Sequence, residues 1–159
     1  MQTTRYLGSE NYGILSFAIA FASITIFLAD IGISTVIVRD IARDKTKTQK
    51  YLGNCILLKI ILAIITLLST AVIGYAFNYT SATMHIVYVI TLYLIFVSFH
   101  GIIGSIIQAF EVMEYISLGS VIYNSVMLIC ALLAIYLGVD VLGFSYVYLI
   151  SSIIIVGYY

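Results

Sequence analysis

The chain is short of charge. Of its 159 residues only 9% are Asp, Glu, Lys or Arg, seven basic against seven acidic, where a soluble domain carries about 25%. That scarcity excludes an ordinary soluble domain. A hydrophobic share of 63% and a mean hydropathy of +1.16 exclude disorder, which needs low hydrophobicity and high charge. No basic stripe is available to neutralise phosphates, so nucleic acid is excluded as a partner. Tryptophan is absent, and the two cysteines, Cys55 and Cys130, fall inside apolar runs. They cannot belong to a secreted disulfide framework, and no CxxC or His/Cys cluster offers zinc spacing. Both read as buried free thiols. Also missing are a glycine-rich phosphate loop, a nucleophile elbow and HExxH. Glu111 and Glu114, three residues apart, read as a solvated face rather than an acid–base dyad. The sequence therefore assigns no catalytic residue, metal or cofactor, and does not read as an enzyme.

What the chain does contain is long stretches free of charge. Residues 11–29, 60–110, 115–139 and 141–159 hold no Asp, Glu, Lys or Arg. A spanning helix needs roughly 20 apolar residues, and the 60–110 stretch is long enough for two. Spans are expected near 12–38, 51–77, 84–108, 117–138 and 142–159, apolar almost all round. The polar run 78–81 divides the second from the third, and Gly138 before Asp140 supplies a helix stop between the last two. Barrel strands would alternate over about ten residues and are excluded. The expected fold is all-α: a polytopic transmembrane helix bundle of about five spans, in one transmembrane domain covering 1–159.

Half the charges sit between Arg39 and Lys50. Basic residues in short loops face the cytoplasm, so Arg39, Arg43, Lys45, Lys47 and Lys50 mark this loop as the inner, topogenic one. The 109–116 loop then also faces inward. Tyr12, Tyr51, Tyr75, Tyr79, Tyr115 and Tyr136 lie near span boundaries and fit an interfacial belt. With that orientation Met1 lies outside, and residues 14–28 make a poor signal peptide. Truncation at both ends is the simplest expectation.

Ionisable groups inside a span are functional hypotheses by default. Asp30 precedes Arg39 by nine residues and Lys59 follows Lys50 by nine, so both lie ~13 Å from the loop. Their helices, consecutive and antiparallel, should pack as neighbours, which allows an ion pair. The alternatives are that Lys59 snorkels to the headgroups, that Asp30 bonds within its own bundle, or that either serves a ligand or proton. His100, ~16 Å from Glu111 and near the midplane, suits proton coupling or a hydrogen bond to a neighbouring helix. Arg39 and Arg43 suit phosphate or anionic lipid heads. Asp30, Arg39, Lys59 and His100 are the candidates for a substrate or coupling-ion pathway.

Small and polar residues recur at helical spacing: Ser16, Ala20, Ser23, Asp30 and Ser34; then Ser98, Gly101, Ser105 and Gln108; then Ser117, Ser120, Asn124, Ala131, Ala134 and Gly138. Such faces let backbones approach and hydroxyls bond across helices, and a water-filled cavity would use the same kind of face. His100 stands about 100° from Gly101 and off its stripe. The 39–50 segment could extend the first helix beyond the membrane, with Asp40–Arg43 and Asp44–Lys47 at i,i+3. Asn78-Tyr79-Thr80 matches a glycosylation sequon, a pattern with a high chance rate.

Residues 5–13 (RYLGSENYG) and 28–43 (LADIGISTVIVRDIAR) resemble the start of prokaryotic polysaccharide flippases. Residues 52–59 (LGNCILLK) and 108–115 (QAFEVMEY) are similar to later signatures of the same family, within the multidrug/oligosaccharidyl-lipid/polysaccharide exporter superfamily. Ser9 replaces a usual Pro and Val112 a frequent Arg. The resemblance implies twelve to fourteen MATE-like helices in two lobes, this chain supplying helices two to six. It implies transport of a lipid-linked oligosaccharide across the plasma membrane by alternating access. The partners implied are membrane lipids, that substrate and the remaining helices. It offers no universal ligand set. Rival readings are a cation-coupled drug exporter, which would carry fewer cavity-facing basic residues, and a membrane-embedded transferase, which would need an interfacial motif and a large loop. A structural subunit is a third.

Replacing Asp30 and Lys59 singly and together tests the ion pair. A pair predicts a double change milder than the sum of the singles by about 0.5–3 kcal/mol, read by SDS-induced unfolding. Additive effects would exclude it.

Overall fold

The computed structural model describes residues 12–24 and 33–158. Six helices follow in order: α1 (Tyr12–Ile24), α2 (Ile33–Arg43), α3 (Thr48–Ala76), α4 (Ser81–Ala109), α5 (Met113–Tyr136) and α6 (Val141–Tyr158). A 3-10 turn, Lys45–Lys47, leads into α3. No strand occurs among the described residues. Four helices are long and apolar enough to cross a membrane, and α1 is a shorter apolar helix. The expected spans 51–77, 84–108, 117–138 and 142–159 fall on α3 to α6. The expected 12–38 span is described in two parts, α1 and α2, and Asp30 lies outside the described residues.

The three tight turns share one solution. Asn78, Glu111 and Gly138 take φ of 51°, 63° and 68°, just past the ends of α3, α4 and α5. In each case the next residue donates its N–H five residues back: Tyr79 to the Gly74 carbonyl (3.4 Å), Val112 to Ile107 (3.4 Å) and Val139 to Ala134 (3.0 Å). These are Schellman closures, which satisfy carbonyls a helix end would otherwise leave open. Glycine and asparagine enter this region easily; Glu111 does so at a cost.

Helix α2 continues past the expected membrane boundary to Arg43 and then stops, because Asp44 caps the 3-10 turn. Its carboxylate accepts from the Thr46 N–H (3.1 Å) and hydroxyl (2.6 Å). The expected Asp44–Lys47 pair forms at 3.2 Å. The expected Asp40–Arg43 pair does not: Asp40 takes Arg39 at 3.4 Å and the Tyr51 hydroxyl at 2.6 Å. Lys45 lies over the Phe110 ring, 5.2 Å from its centroid, so the 39–50 loop and the α4–α5 turn share one end of the bundle.

Two cores hold the helices, one toward each end. At the basic end Ile37 and Ile41 of α2 pack with Ile102, Ile106 and Ala109 of α4, flanked by Tyr51 and Cys55. At the opposite end Leu15, Ala18 and Ala22 of α1 meet Ile86, Val87 and Ile90 of α4, Ala134 of α5 and Phe144 of α6. Helix α4 runs through both cores. Helix α2 therefore packs chiefly on α4 and only slightly on α3, rather than lying along α3 as its antiparallel neighbour.

Polarity is distributed inside out. Helix α3 buries Lys59, Thr66, Thr70 and Gly74 while exposing Leu57, Ile61, Ile64, Ile65 and Leu68. A Cβ on Gly74 would lie 2.1 Å from Met84 Cε, so the glycine lets α4 lie against the α3 backbone. Several buried hydroxyls bond within their own helix rather than across to a neighbour. Thr66, Thr70, Thr91, Ser105 and Ser151 each donate to the carbonyl four residues back on their own helix, all at 2.8 Å. Self-satisfied hydroxyls can sit at a helix contact with no desolvated donor.

Phe144, only 2% exposed, should therefore count for much more than a residue on the aliphatic outer face. Phe144→Ala is expected to lower stability by about 3–5 kcal/mol and Leu68→Ala by under about 1 kcal/mol, as measured by SDS-induced unfolding in micelles.

Candidate functional site

Helix α4 presents two polar faces. Ser98 and His100 are two positions apart, about 200° around the helix, and point to different neighbours. On the α3 side, Lys59 is 3% exposed and donates its ammonium to the Ser98 hydroxyl. It does not snorkel to a headgroup surface. A void of about 10 Å³ beside the pair is lined by Leu62, Ala63, Thr66 and Phe99. That is at most the room of one water, so Lys59 ties α3 to α4 and offers no space for a substrate group. The pairing of Lys59 with Asp30 lies outside the described residues.

On the other side of α4 a cavity of about 190 Å³ opens between α4, α5 and α6. Tyr93 and His100 of α4 face Ser120, Tyr123 and Asn124 of α5 across it, and Val97 and Ile155 supply apolar wall. Tyr93 and Tyr123 join hydroxyl to hydroxyl at 3.2 Å, a hydrogen bond between helices. Tyr148 of α6 meets the Tyr93 ring edge-on, centroids 5.3 Å apart, which holds that ring in place. Asn124 donates Nδ2 to the Ser120 carbonyl at 2.8 Å, leaving its Oδ1 as an acceptor. Among the described residues no Lys, Arg, Asp or Glu lines this space.

The stripe expected on α5 splits in two. Ala134 is buried in the core, whereas Ser117, Ser120 and Asn124 are exposed although they lie within a spanning helix. By helical rise the cavity extends from ~9 Å (Gly119) to ~24 Å (Tyr93) beyond the basic ends of α5 and α4, across the middle of a hydrocarbon core about 30 Å thick. A hydrogen-bonding surface at that depth is costly unless it faces water, a ligand or more protein.

Of the four pathway candidates, His100 lines the cavity, Lys59 is a helix-to-helix tie, and Arg39 is 82% exposed at the basic end. Asp30 is outside the described residues. Sequence reasoning missed Tyr93, Tyr123 and Tyr148, having treated tyrosine as a boundary residue. The signal was there: Tyr93, Val97 and His100 share one face at steps of four and three, and Tyr123 adjoins Asn124 on the α5 stripe.

Fold and site together define a multi-pass helical membrane protein with a largely apolar cavity between α4, α5 and α6, bordered by Tyr, His, Ser and Asn side chains. The chain belongs to the polysaccharide biosynthesis protein family, whose model matches residues 2–159. No curated protein and no solved structure matches it significantly.

At the basic end the Tyr51 hydroxyl, helped by the Arg39 charge, holds the Asp40 carboxyl below its ordinary value of 3.8. A lowered folded pKa means that this contact contributes in full above 3.8 and is lost as pH falls through the folded value. Tyr51→Phe is expected to move the Asp40 pKa upward toward 3.8, followed by carbon NMR of labelled aspartate; no movement would show that the hydroxyl does not set it.

Proposed function

We propose that this chain is part of a flippase that carries a lipid-linked oligosaccharide or polysaccharide unit across the cell membrane for surface polysaccharide synthesis. Transport would proceed by alternating access, the remaining helices of the transporter completing the pathway against the open side of α5. Residues 1–159 form one transmembrane unit of a MATE-like lobe in this reading. The loop bearing Arg39, Arg43, Lys45, Lys47 and Lys50 lies in the cytoplasm and meets anionic headgroups.

The observation that carries the reading is the set of hydrogen-bonding side chains bordering a largely apolar cavity at mid-membrane depth, in a chain of the polysaccharide biosynthesis family. Hydrogen-bonding groups in a span are retained where something polar must pass or bind. The carried lipid can keep its tail in the bilayer while its head group occupies such a space. Lys59, closed against Ser98, serves the scaffold, and the rocking of one lobe would carry α3 and α4 together.

Complementation tests this. The full-length protein should restore surface glycan to a flippase-deficient strain. Asn124→Leu, which fills the cavity with an apolar side chain, should cut the restored glycan roughly tenfold, the scale of one or two lost hydrogen bonds. Leu68→Ala on the outer face should leave it unchanged. No rescue by the wild-type protein at normal membrane levels would overturn the reading, and full rescue by Asn124→Leu would remove the cavity from the pathway.

A further inference from the structure

We propose that the first turns of α3 bind one anionic glycerophospholipid of the surrounding bilayer, its phosphate on Lys47 and Lys50 and its ester carbonyls on Asn54. The inference needs α3 to be a span and goes beyond the transport reading. Its occupant is a resident lipid, not the molecule carried.

One face of α3 carries the argument. Lys47, Lys50, Asn54, Leu57, Ile61 and Ile65 follow one another at steps of three and four, so they share a stripe of the helix. All six are exposed, and the stripe continues through the exposed Leu68 and Val72. It begins cationic, passes through an amide and ends aliphatic. A phospholipid presents phosphate, ester and acyl chain in that same order from the surface inward.

The depths match as well. Helical rise puts Asn54 ~6 Å beyond Lys50, and the polar layer of a bilayer is about 5–8 Å thick on each side. Tyr75 is 86% exposed at the far end of α3. From Asn54 to Tyr75 the helix rises ~32 Å, close to a hydrocarbon thickness of about 30 Å. Asn54 therefore stands at the edge of the hydrocarbon, where ester carbonyls lie, and the two ammonium groups stand at the level of the phosphates.

A groove of about 330 Å³ opens here, lined by Lys47, Lys50, Tyr51 and Asn54. Its polar groups are largely uncommitted. Lys47 pairs with Asp44 at 3.2 Å, which leaves two of its three donors. Neither Lys50 nor Asn54 has a side-chain hydrogen bond or ion pair among the described residues. The Tyr51 hydroxyl is taken by Asp40 at 2.6 Å, so Tyr51 gives the groove its ring and ties this wall to α2. Five basic residues against two acidic in 39–50 leave this end of the bundle net positive.

Each group selects one part of the occupant. The net charge favours an anionic head group over a zwitterion, whose own cation would face Lys47 and Lys50. Inorganic phosphate answers the lysines but leaves Asn54 and the aliphatic stripe without a partner. A prenyl phosphate supplies phosphate and chain but no carbonyl for Asn54 Nδ2. An anionic glycerophospholipid answers all three.

The test is native mass spectrometry of the full chain released from non-ionic detergent, with lipid added stepwise. Dioleoyl phosphatidylglycerol should bind as one tight equivalent, roughly fivefold or more tighter than dioleoyl phosphatidylcholine, and inorganic phosphate should not displace it. Lys50→Gln should weaken it roughly fivefold, the scale of one basic residue at an anionic surface. Lys45→Gln removes the same charge from the same loop, but Lys45 lies over Phe110 and off the groove. It lowers only the general attraction and should weaken binding by under about twofold. Asn54→Leu should weaken the ester lipid roughly three- to tenfold and leave a diether phosphatidylglycerol, which has no carbonyl, unchanged. The proposal fails if phosphatidylcholine binds as tightly, or if Lys45→Gln matches Lys50→Gln, which would reduce the site to diffuse attraction. It fails equally if Asn54→Leu treats ester and diether lipids alike, or if inorganic phosphate or farnesyl phosphate displaces the glycerolipid at equal concentration. Complementation reads transport and this titration reads lipid, so either reading can fall while the other stands.

Discussion

Hydrocarbon offers no hydrogen bonds, and the polar groups of the described spans are placed under that constraint. The backbone answers with continuous helices and with three turns that close the same way, at Asn78, Glu111 and Gly138. Side-chain hydroxyls answer by bonding back to their own helices, as Thr70 does to Thr66 and Ser151 to Val147. Once satisfied in this way, small residues can be buried between helices while Leu, Ile and Val face outward. Helix α3 is the clearest instance, with Lys59 and Thr70 inside and Ile64 and Leu68 outside. A soluble bundle would reverse those faces.

The same constraint sorts the polar groups by the space around them. Lys59 has Ser98 against it and scarcely any space around it, which is the condition of a charge held for architecture. The tyrosine pair and Asn124 border a space some twenty times larger, and their hydrogen-bonding capacity is only partly used. Little space marks the first set, and room marks the second.

Much of the fold was legible because it follows from solvent exclusion. Charge-free runs gave α3 to α6 nearly to their ends, and Gly138 marked its turn through a backbone angle that glycine adopts freely. Glu111 was not legible as a turn residue, since nothing in a glutamate favours positive φ. The packing order was also hidden. Short connection suggested that α2 would lie along α3, but Ile37 and Ile41 find Ile102 and Ile106 of α4 instead, and pairing of apolar surfaces outweighs nearness in sequence. The cavity was half legible: Ser120, Asn124 and His100 stood out by type or spacing, whereas Tyr93 and Tyr123 were masked by the common role of tyrosine at interfaces.

Helix α4 connects these findings. It passes through both cores, gives Ser98 to Lys59 on one side and Tyr93 with His100 to the cavity on the other. A site built on a helix fixed at both ends is held more accurately than one carried on a loop. Its partner wall is different. Helix α5 is packed through Ala134 near one end, but its Ser117–Asn124 face is open. One wall of the cavity is therefore packed at both ends and the other is exposed along Ser117–Asn124. In a transporter that alternates between two openings, the fixed wall would keep the ligand's hydrogen bonds in register, and closure would fall to whatever meets α5. Recognition and gating would then belong to different helices, which allows the second to move without undoing the first.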